Sequence, residues 1–321
     1  MGDARCIAEA GNSPFDECTS IVAQLKGAIV RDNSRCVAGG ETTPNGNCTI
    51  VDPADGVAVQ CVGGWAKDKH DYLDRYIKAT RAVRAQFLNA GRTQTAGGAA
   101  FIDLFAGPGR ARIFSNGLLI DGSPLIALKH ESAPFSRVIL CDTDAENISA
   151  LRKRTEAHAQ RVTIVDGDCR KNIDKIIALI PPYGLNLTLY DPFSLDSLSF
   201  PTLEKLASFQ RMDLIVHFPT MDAKRNHAKG ALKKLENATG STDMASVVRK
   251  PSDTMKAIQK LRMNLGKLGY TGYDTTSIPI KNTSNATLYH LAYFSKSEKG
   301  DDIWNSIACT TAAGQRSLFG A

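Results

Sequence analysis

None of the eight cysteines forms a C-x-x-C pair, no apolar run reaches eighteen residues, and the six histidines show no metal-ligand spacing. Zinc and iron–sulfur sites usually draw at least one close cysteine pair from a turn, so the first absence argues against them. The second excludes a helix that spans a bilayer, and no membrane association is expected. The start M-G-D-A-R-C-I-A-E-A lacks the basic end and apolar core of a secretory signal, so a cytoplasmic protein is expected. Met1-Gly2 would suit N-myristoylation, but Cys6 stands where Ser or Thr is required. A metal would need Cys36, Cys48 and Cys61 to converge from a distance; these thiols are instead expected to be reduced, buried or incidental, with no metal bound. The net charge of +6 is compatible with a nucleic-acid partner and too small to require one. The 43% hydrophobic content of 321 residues excludes disorder as the bulk state.

Two regions follow from the patterning. Residues 1–64 are rich in Gly, Pro, Asn, Asp and Thr and read as a loosely structured, cysteine-containing extension. Residues 65–321 read as one α/β domain, opened by a basic amphipathic helix over 65–90 with Leu73, Tyr76, Ile77, Val83 and Phe87 at helical spacing. Lys67, Lys78, Arg81 and Arg84 give that helix its charge, either as a solvated face or as a polyanion contact. Beyond a breaker-rich link, strands are predicted over 100–105, 137–141, 162–165, 185–190 and 213–218. Helices are predicted over 124–131, 145–159, 170–180 and 202–209. Strands over 275–281 and 287–295 are close enough to pair antiparallel. Residues 236–253 read as a loop-like variable insertion.

The richest stretch is F-I-D-L-F-A-G-P-G-R, residues 101–110. An apolar strand ends in Asp103 and passes through Phe105 and Ala106 into Gly107 and Gly109, where a missing Cβ lets backbone N–H groups approach a ligand. A dinucleotide site wants G-x-G-x-x-G opening a helix directly; D-x-F-x-G-x-G fits the first motif of S-adenosylmethionine (SAM) methyltransferases without forcing. The second strand ends at Asp142, placed to accept from ribose hydroxyls, with Asp144 suited to cap the next helix. The interval to Asp142 implies an insertion over 110–122. The third strand ends in G-D-C, where Asp168 is expected to accept from an adenine amino group and the backbone of Cys169 to face the ring. The fourth ends in Asp191-Pro192-Phe193, an acid, a prolyl carbonyl and an aromatic that can orient an exocyclic amino group on a flat base. Arg112, His217 and Thr220 are weaker candidates at the same edge.

With these residues in place, the chain resembles the three-Cys-motif partner protein family, TcmP, over roughly residues 52–307. The resemblance rests on C-V-G-G-W-A-K-D-K-H-D-Y-L-D-R-Y-I (61–77), D-L-F-A-G-P-G-R (103–110), D-G-S-P-L-I-A-L (121–128), G-D-C (167–169), D-P-F (191–193) and D-L-I-V-H-F-P (213–219). It extends to the closing L-A-Y-F-S-K and I-W-N-S-I. The chain departs from the family at Ser194, where Gly is common, and in the charged turn S-K-S-E-K-G at 295–300. The resemblance implies a Rossmann-like class I SAM-dependent methyltransferase fold: a mostly parallel seven-stranded sheet, an antiparallel last strand and helices on both faces. It also implies a partner with a three-cysteine motif, similar to radical-SAM-type proteins. D-P-F is similar to the corresponding motif of tRNA guanine N2-dimethyltransferases, which points to an amino nitrogen. The expected activity is therefore SAM-dependent methylation of a nitrogen on a nucleic-acid base or nucleotide. Asp103, Phe105, Ala106, Gly107, Gly109, Asp142, Asp168 and Cys169 would hold SAM, and Asp191, Pro192 and Phe193 would act on the acceptor. The alternatives are a non-catalytic partner subunit and a nucleic-acid-binding module.

Overall fold

The computed structural model describes residues 39–89, 97–225 and 230–310. Its centre is a seven-stranded sheet in the order β6 (Val162–Asp166), β5 (Arg137–Asp142), β2 (Ala99–Asp103), β7 (Leu185–Tyr190), β8 (Met212–Phe218), β10 (Thr287–Phe294), β9 (Ile278–Lys281). β10 runs antiparallel to both its neighbours, and the pairings from β6 through β8 are all parallel. This strand order and direction define the Rossmann-like class I methyltransferase fold. The order reverses between β5 and β7 around β2, so the carboxyl ends of these strands open onto one crevice, the usual ligand position in such sheets.

The central strands are buried and mostly apolar because each face is covered by helices. All five residues of β2 are buried, with Ala100 and Ile102 in the core on one side and Ala99 and Phe101 in the core on the other. Helix α1 (Trp65–Ala79) covers the second face with Tyr72, Leu73, Tyr76 and Ile77. Tyr76 anchors it there, its hydroxyl donating to Asp213 Oδ2 at 2.7 Å within a buried group that includes Tyr293. Helix α2 (Arg81–Asn89) follows directly.

Several expectations need correction. The predicted helix over 65–90 is broken at Thr80, whose hydroxyl donates to Tyr76 O at 2.8 Å. The break turns Arg84 inward. It is 1% exposed, its Nε donating to Ala133 O at 2.6 Å and its Nη1 to Ile77 O at 3.0 Å, so it belongs to neither a solvated face nor a polyanion contact. The insertion expected over 110–122 takes the form of a hairpin, β3 (Arg110–Ile113) with β4 (Leu119–Asp121). β1 (Gln60–Val62) adds to it in parallel.

The described part of the extension, 39–64, is thus built into the domain. Asp52, Cys48 and Val59 are buried, and Cys48 and Cys61 form a disulfide with Cα atoms 4.9 Å apart. These two cysteines are therefore not the incidental thiols expected; a disulfide persists where surroundings are oxidising. Cys6, Cys18 and Cys36 lie outside the described residues. The segment 236–253 is folded as well: it runs from α8 (Ala231–Thr239) into the short α9 (Met244–Val247), with Met244 and Val248 buried four residues apart. Among the described residues no helix is long and apolar enough to cross a membrane.

Candidate active site

The glycine loop leaves β2 through a series of hydrogen bonds donated by its backbone N–H groups. Phe105 N–H donates to Asp103 Oδ1 at 3.1 Å, Ala106 N–H to Cys141 O at 2.9 Å and Gly107 N–H to Asp142 Oδ2 at 2.8 Å. Gly107 and Gly109 have φ of +59° and +86°, a region that side-chain-bearing residues avoid. The hairpin returns the chain so that Gly122 N–H donates to Gly109 O at 2.9 Å; a Cβ on Gly122 would lie 2.9 Å from that same oxygen. The next residue, Ser123, gives its hydroxyl to Asp103 Oδ2 at 2.5 Å. Asp103 is fully buried, and burial pushes its carboxyl up to about 7 against the opposing effect of these hydrogen bonds. Phe105 stacks on Tyr190 with ring centroids 5.6 Å apart, and Ala106 is buried.

Asp142 ends β5, where the sequence places it. Its Oδ1 accepts from Asp144 N–H at 2.9 Å and Asn147 Nδ2 at 3.0 Å, in addition to Gly107 on Oδ2. A carboxylate accepts about four hydrogen bonds, so this one mainly fixes the glycine loop to β5 and keeps a single acceptor position for a ligand. Asp144 caps α4 (Ala145–Arg154), accepting from Glu146 and Asn147 N–H. Asp168, beyond β6, is held by Arg170, whose Nη2 donates to Oδ2 at 2.6 Å. That bond lowers its pKa. Cys169 is buried, which pushes its thiol up to about 12 and keeps it neutral.

The densest chemistry lies at the ends of β7 and β8. Tyr190 pairs in register with Val216, so Asp191 and His217 emerge side by side at the carboxyl edge. His217 Nδ1 lies 2.6 Å from Asp191 Oδ1, and Lys69 Nζ from α1 contacts Oδ2. The three side chains are 13–16% exposed. Burial raises the Asp191 carboxyl, but the Lys69 charge and the His217 hydrogen bond prevail and hold it well below the usual carboxylate range. His217 is lowered, burial and Lys69 outweighing Asp191. Its ring lies 3.7 Å, centroid to centroid, from that of Tyr289 on β10. His70, the next residue on α1, has a buried Nδ1 with no hydrogen-bond partner among the described residues and is lowered to about 3, chiefly by burial. Pro192 is buried, whereas Phe193 is 70% exposed just past the cluster.

Of the weaker candidates, Arg112 is structural, donating from Nη2 to Val51 O at 3.1 Å, and Thr220 pairs with His290 Nδ1 at 3.1 Å. Sequence reasoning missed Lys69 altogether. Its signal was positional: Lys69, Leu73 and Tyr76 share one face of α1 at i, i+4 and i+7, a lysine on the apolar stripe. The part played by residues 45–60 was also missed. Asn45 Nδ2 donates to Asp144 Oδ2 at 2.6 Å and Asn47 Nδ2 to Asn147 Oδ1 at 2.9 Å. A Cβ on Gly107 would meet Gln60 Oε1 at 3.5 Å, so this segment walls the glycine loop and the Asp142 turn. Arg154 stitches the wall down, donating to Asp55 Oδ2 at 2.7 Å, Ala58 O at 2.7 Å and Pro108 O at 2.6 Å.

No family model matches the chain, and no curated protein matches it. Solved structures align to it loosely. The methyltransferase domain of bacterial CtHen1 is 17% identical, covering 71% of this chain and 97% of that domain, with a TM-score of 0.39. Cofactor-bound Rv0187 from MTB is 13% identical, covering 90% of this chain and all of that one, with a TM-score of 0.40. M. jannaschii TYW2 in complex with AdoMet is 11% identical, covering 79% of this chain and 89% of that one, with a TM-score of 0.37. The methyltransferase-like character of this chain rests on its own strand order and direction.

Proposed function

We propose that this protein is a SAM-dependent methyltransferase that modifies a nitrogen, with a nucleic-acid base or nucleotide as acceptor. One observation carries the reading: the glycine loop, Asp142, Asp168 and Asp191-Pro192-Phe193 stand at the carboxyl ends of β2, β5, β6 and β7, on one edge of a sheet with this order. The residues fit the cofactor. The left-handed Gly107 and Gly109 leave a backbone cradle in which, among the described residues, a Cβ on Gly107 would meet Gln60 alone within 4 Å, and the Asp142 carboxylate retains an acceptor position beside it. When bound, SAM supplies an activated methyl group on a sulfonium. The transition state of that transfer disperses positive charge, so alignment matters more than a strong acid. The exposed Phe193 ring offers a flat surface on which a base can stack.

Kinship with the three-Cys-motif partner family belongs to the same reading, as does a three-cysteine, radical-SAM-type protein as binding partner. Affinity capture of that partner from cells expressing both tests the second point, with recovery of neither protein by the other counting against it. The central test is calorimetric titration with SAM together with Asp191→Ala. Asp191→Ala is expected to abolish transfer while SAM still binds; unchanged turnover would remove Asp191 from the mechanism.

A further inference from the structure

We propose that His217 takes the proton released by the methyl acceptor, with Nε2 as the receiving atom and Asp191 and Lys69 as positioning residues. The inference rests on the methyltransferase reading above and specifies how that site acts. Both Asp191 oxygens are engaged, Oδ1 by His217 Nδ1 at 2.6 Å and Oδ2 by Lys69. Asp191 is therefore committed chiefly to holding His217 and Lys69 in place. A carboxylate paired with Nδ1 fixes the tautomer in which Nδ1 carries the hydrogen and Nε2 carries the lone pair. Among the described residues nothing hydrogen-bonds Nε2. Lys69 cannot serve instead, since an ammonium has donors only. The same ammonium keeps Asp191 ionised, which preserves the tautomer.

The groups facing the imidazole are Lys69 from α1, Asp191 from β7 and Tyr289 from β10, while His70 of α1 and Asp103 of β2 act on Lys69 and Asp191. Their balance with burial lowers the His217 pKa, so the ring is neutral and able to accept at neutral pH. The acceptor's lone pair forms the bond to the methyl carbon, the sulfonium sulfur keeps the electron pair of the broken S–C bond, and the acceptor's N–H proton passes to Nε2. The acceptor is thereby narrowed to a nucleophile that carries a hydrogen and must lose it. An exocyclic amino group qualifies; a pyridine-type ring nitrogen or a thioether does not.

Long-range 1H–15N spectra of the full chain report the His217 tautomer without turnover, assigned by loss of the signal in His217→Gln. We expect hydrogen on Nδ1 and a bare Nε2 at pH 7.5. Transfer from labelled SAM to the four common nucleoside monophosphates and to an unmodified RNA transcript reports the role. His217→Gln is expected to lower kcat by about 10²–10⁴-fold and to abolish the acid limb of the pH profile, with KM and SAM affinity unchanged. Hydrogen on Nε2, or transfer undiminished by His217→Gln, overturns the inference alone. Absence of SAM binding, or of transfer to every probe, overturns the methyltransferase reading and the inference with it.

Discussion

Asp142 and Asp191 both end a parallel strand at the same sheet edge, yet one is surrounded by neutral donors and the other is set against a cation and an imidazole. Asp142 accepts from two backbone N–H groups and an asparagine, all of them fixed parts of the loops it joins. Asp191 is set between an ammonium and an imidazole whose far nitrogen has no described hydrogen-bond partner. Neutral donors give a carboxylate that holds backbone in place. A buried charge cluster gives one that sets the protonation state of its neighbour, the kind of arrangement found where chemistry is done. The two halves of the crevice thus divide the work: the β2–β5 half shapes a cradle, and the β7–β8 half handles a proton.

Breaking the charge cluster should have the largest effect on stability. Lys69→Met leaves Asp191 with a single partner in a mostly buried site and should cost about 3 kcal/mol in denaturant unfolding. Adding Asp191→Asn should recover part of that loss; strict additivity of the two substitutions would mean that the pair is not coupled. Asp142→Ala strands the Gly107 and Asp144 N–H groups and should cost about 2 kcal/mol. It should also weaken SAM binding in calorimetry while leaving the His217 tautomer unchanged, which separates the two halves directly.

The buried acids also predict opposite pH slopes. Asp191 is depressed in the folded state, so its contribution is present above the unfolded pKa of about 4 and is lost as pH falls through the folded value. Asp103 is raised to about 7, so the folded state holds its proton longer and stability declines as pH rises from about 4 towards that value. Asp103→Asn should flatten that decline in unfolding free energies measured across the range; an unchanged slope would assign it to another group. The smallest effect should come from Arg170→Ala. Its side chain is 41% exposed, so the loss should stay within about 1 kcal/mol, with NMR showing the Asp168 pKa moving back up.

Much of this contrast was legible in the chain and part was not. β7 spans the predicted 185–190, and β5 exceeds the predicted 137–141 by a single residue, because both are short, apolar-rich segments bounded by turn residues. The acids were found because each ends such a run. The partners that distinguish Asp191 from Asp142 were not found, since Lys69 is 122 positions away and His217 is 26, and only folding brings them together. The β3–β4 hairpin escaped because its strands span four and three residues, too short to show a period of two. The wall over 45–60 escaped because its asparagines and aspartates, which look like turn residues, are spent on side-chain bonds to α4 and its capping turn.

The most direct test is calorimetric titration of SAM into the full chain, alongside Gly107→Val, a substitution that forces a branched side chain into a left-handed backbone beside Gln60. The account predicts saturable binding at one site per chain, lost or strongly weakened in the variant. A well-folded native protein that gives no binding heat at any temperature tested, and no shift in melting temperature with SAM, would contradict it.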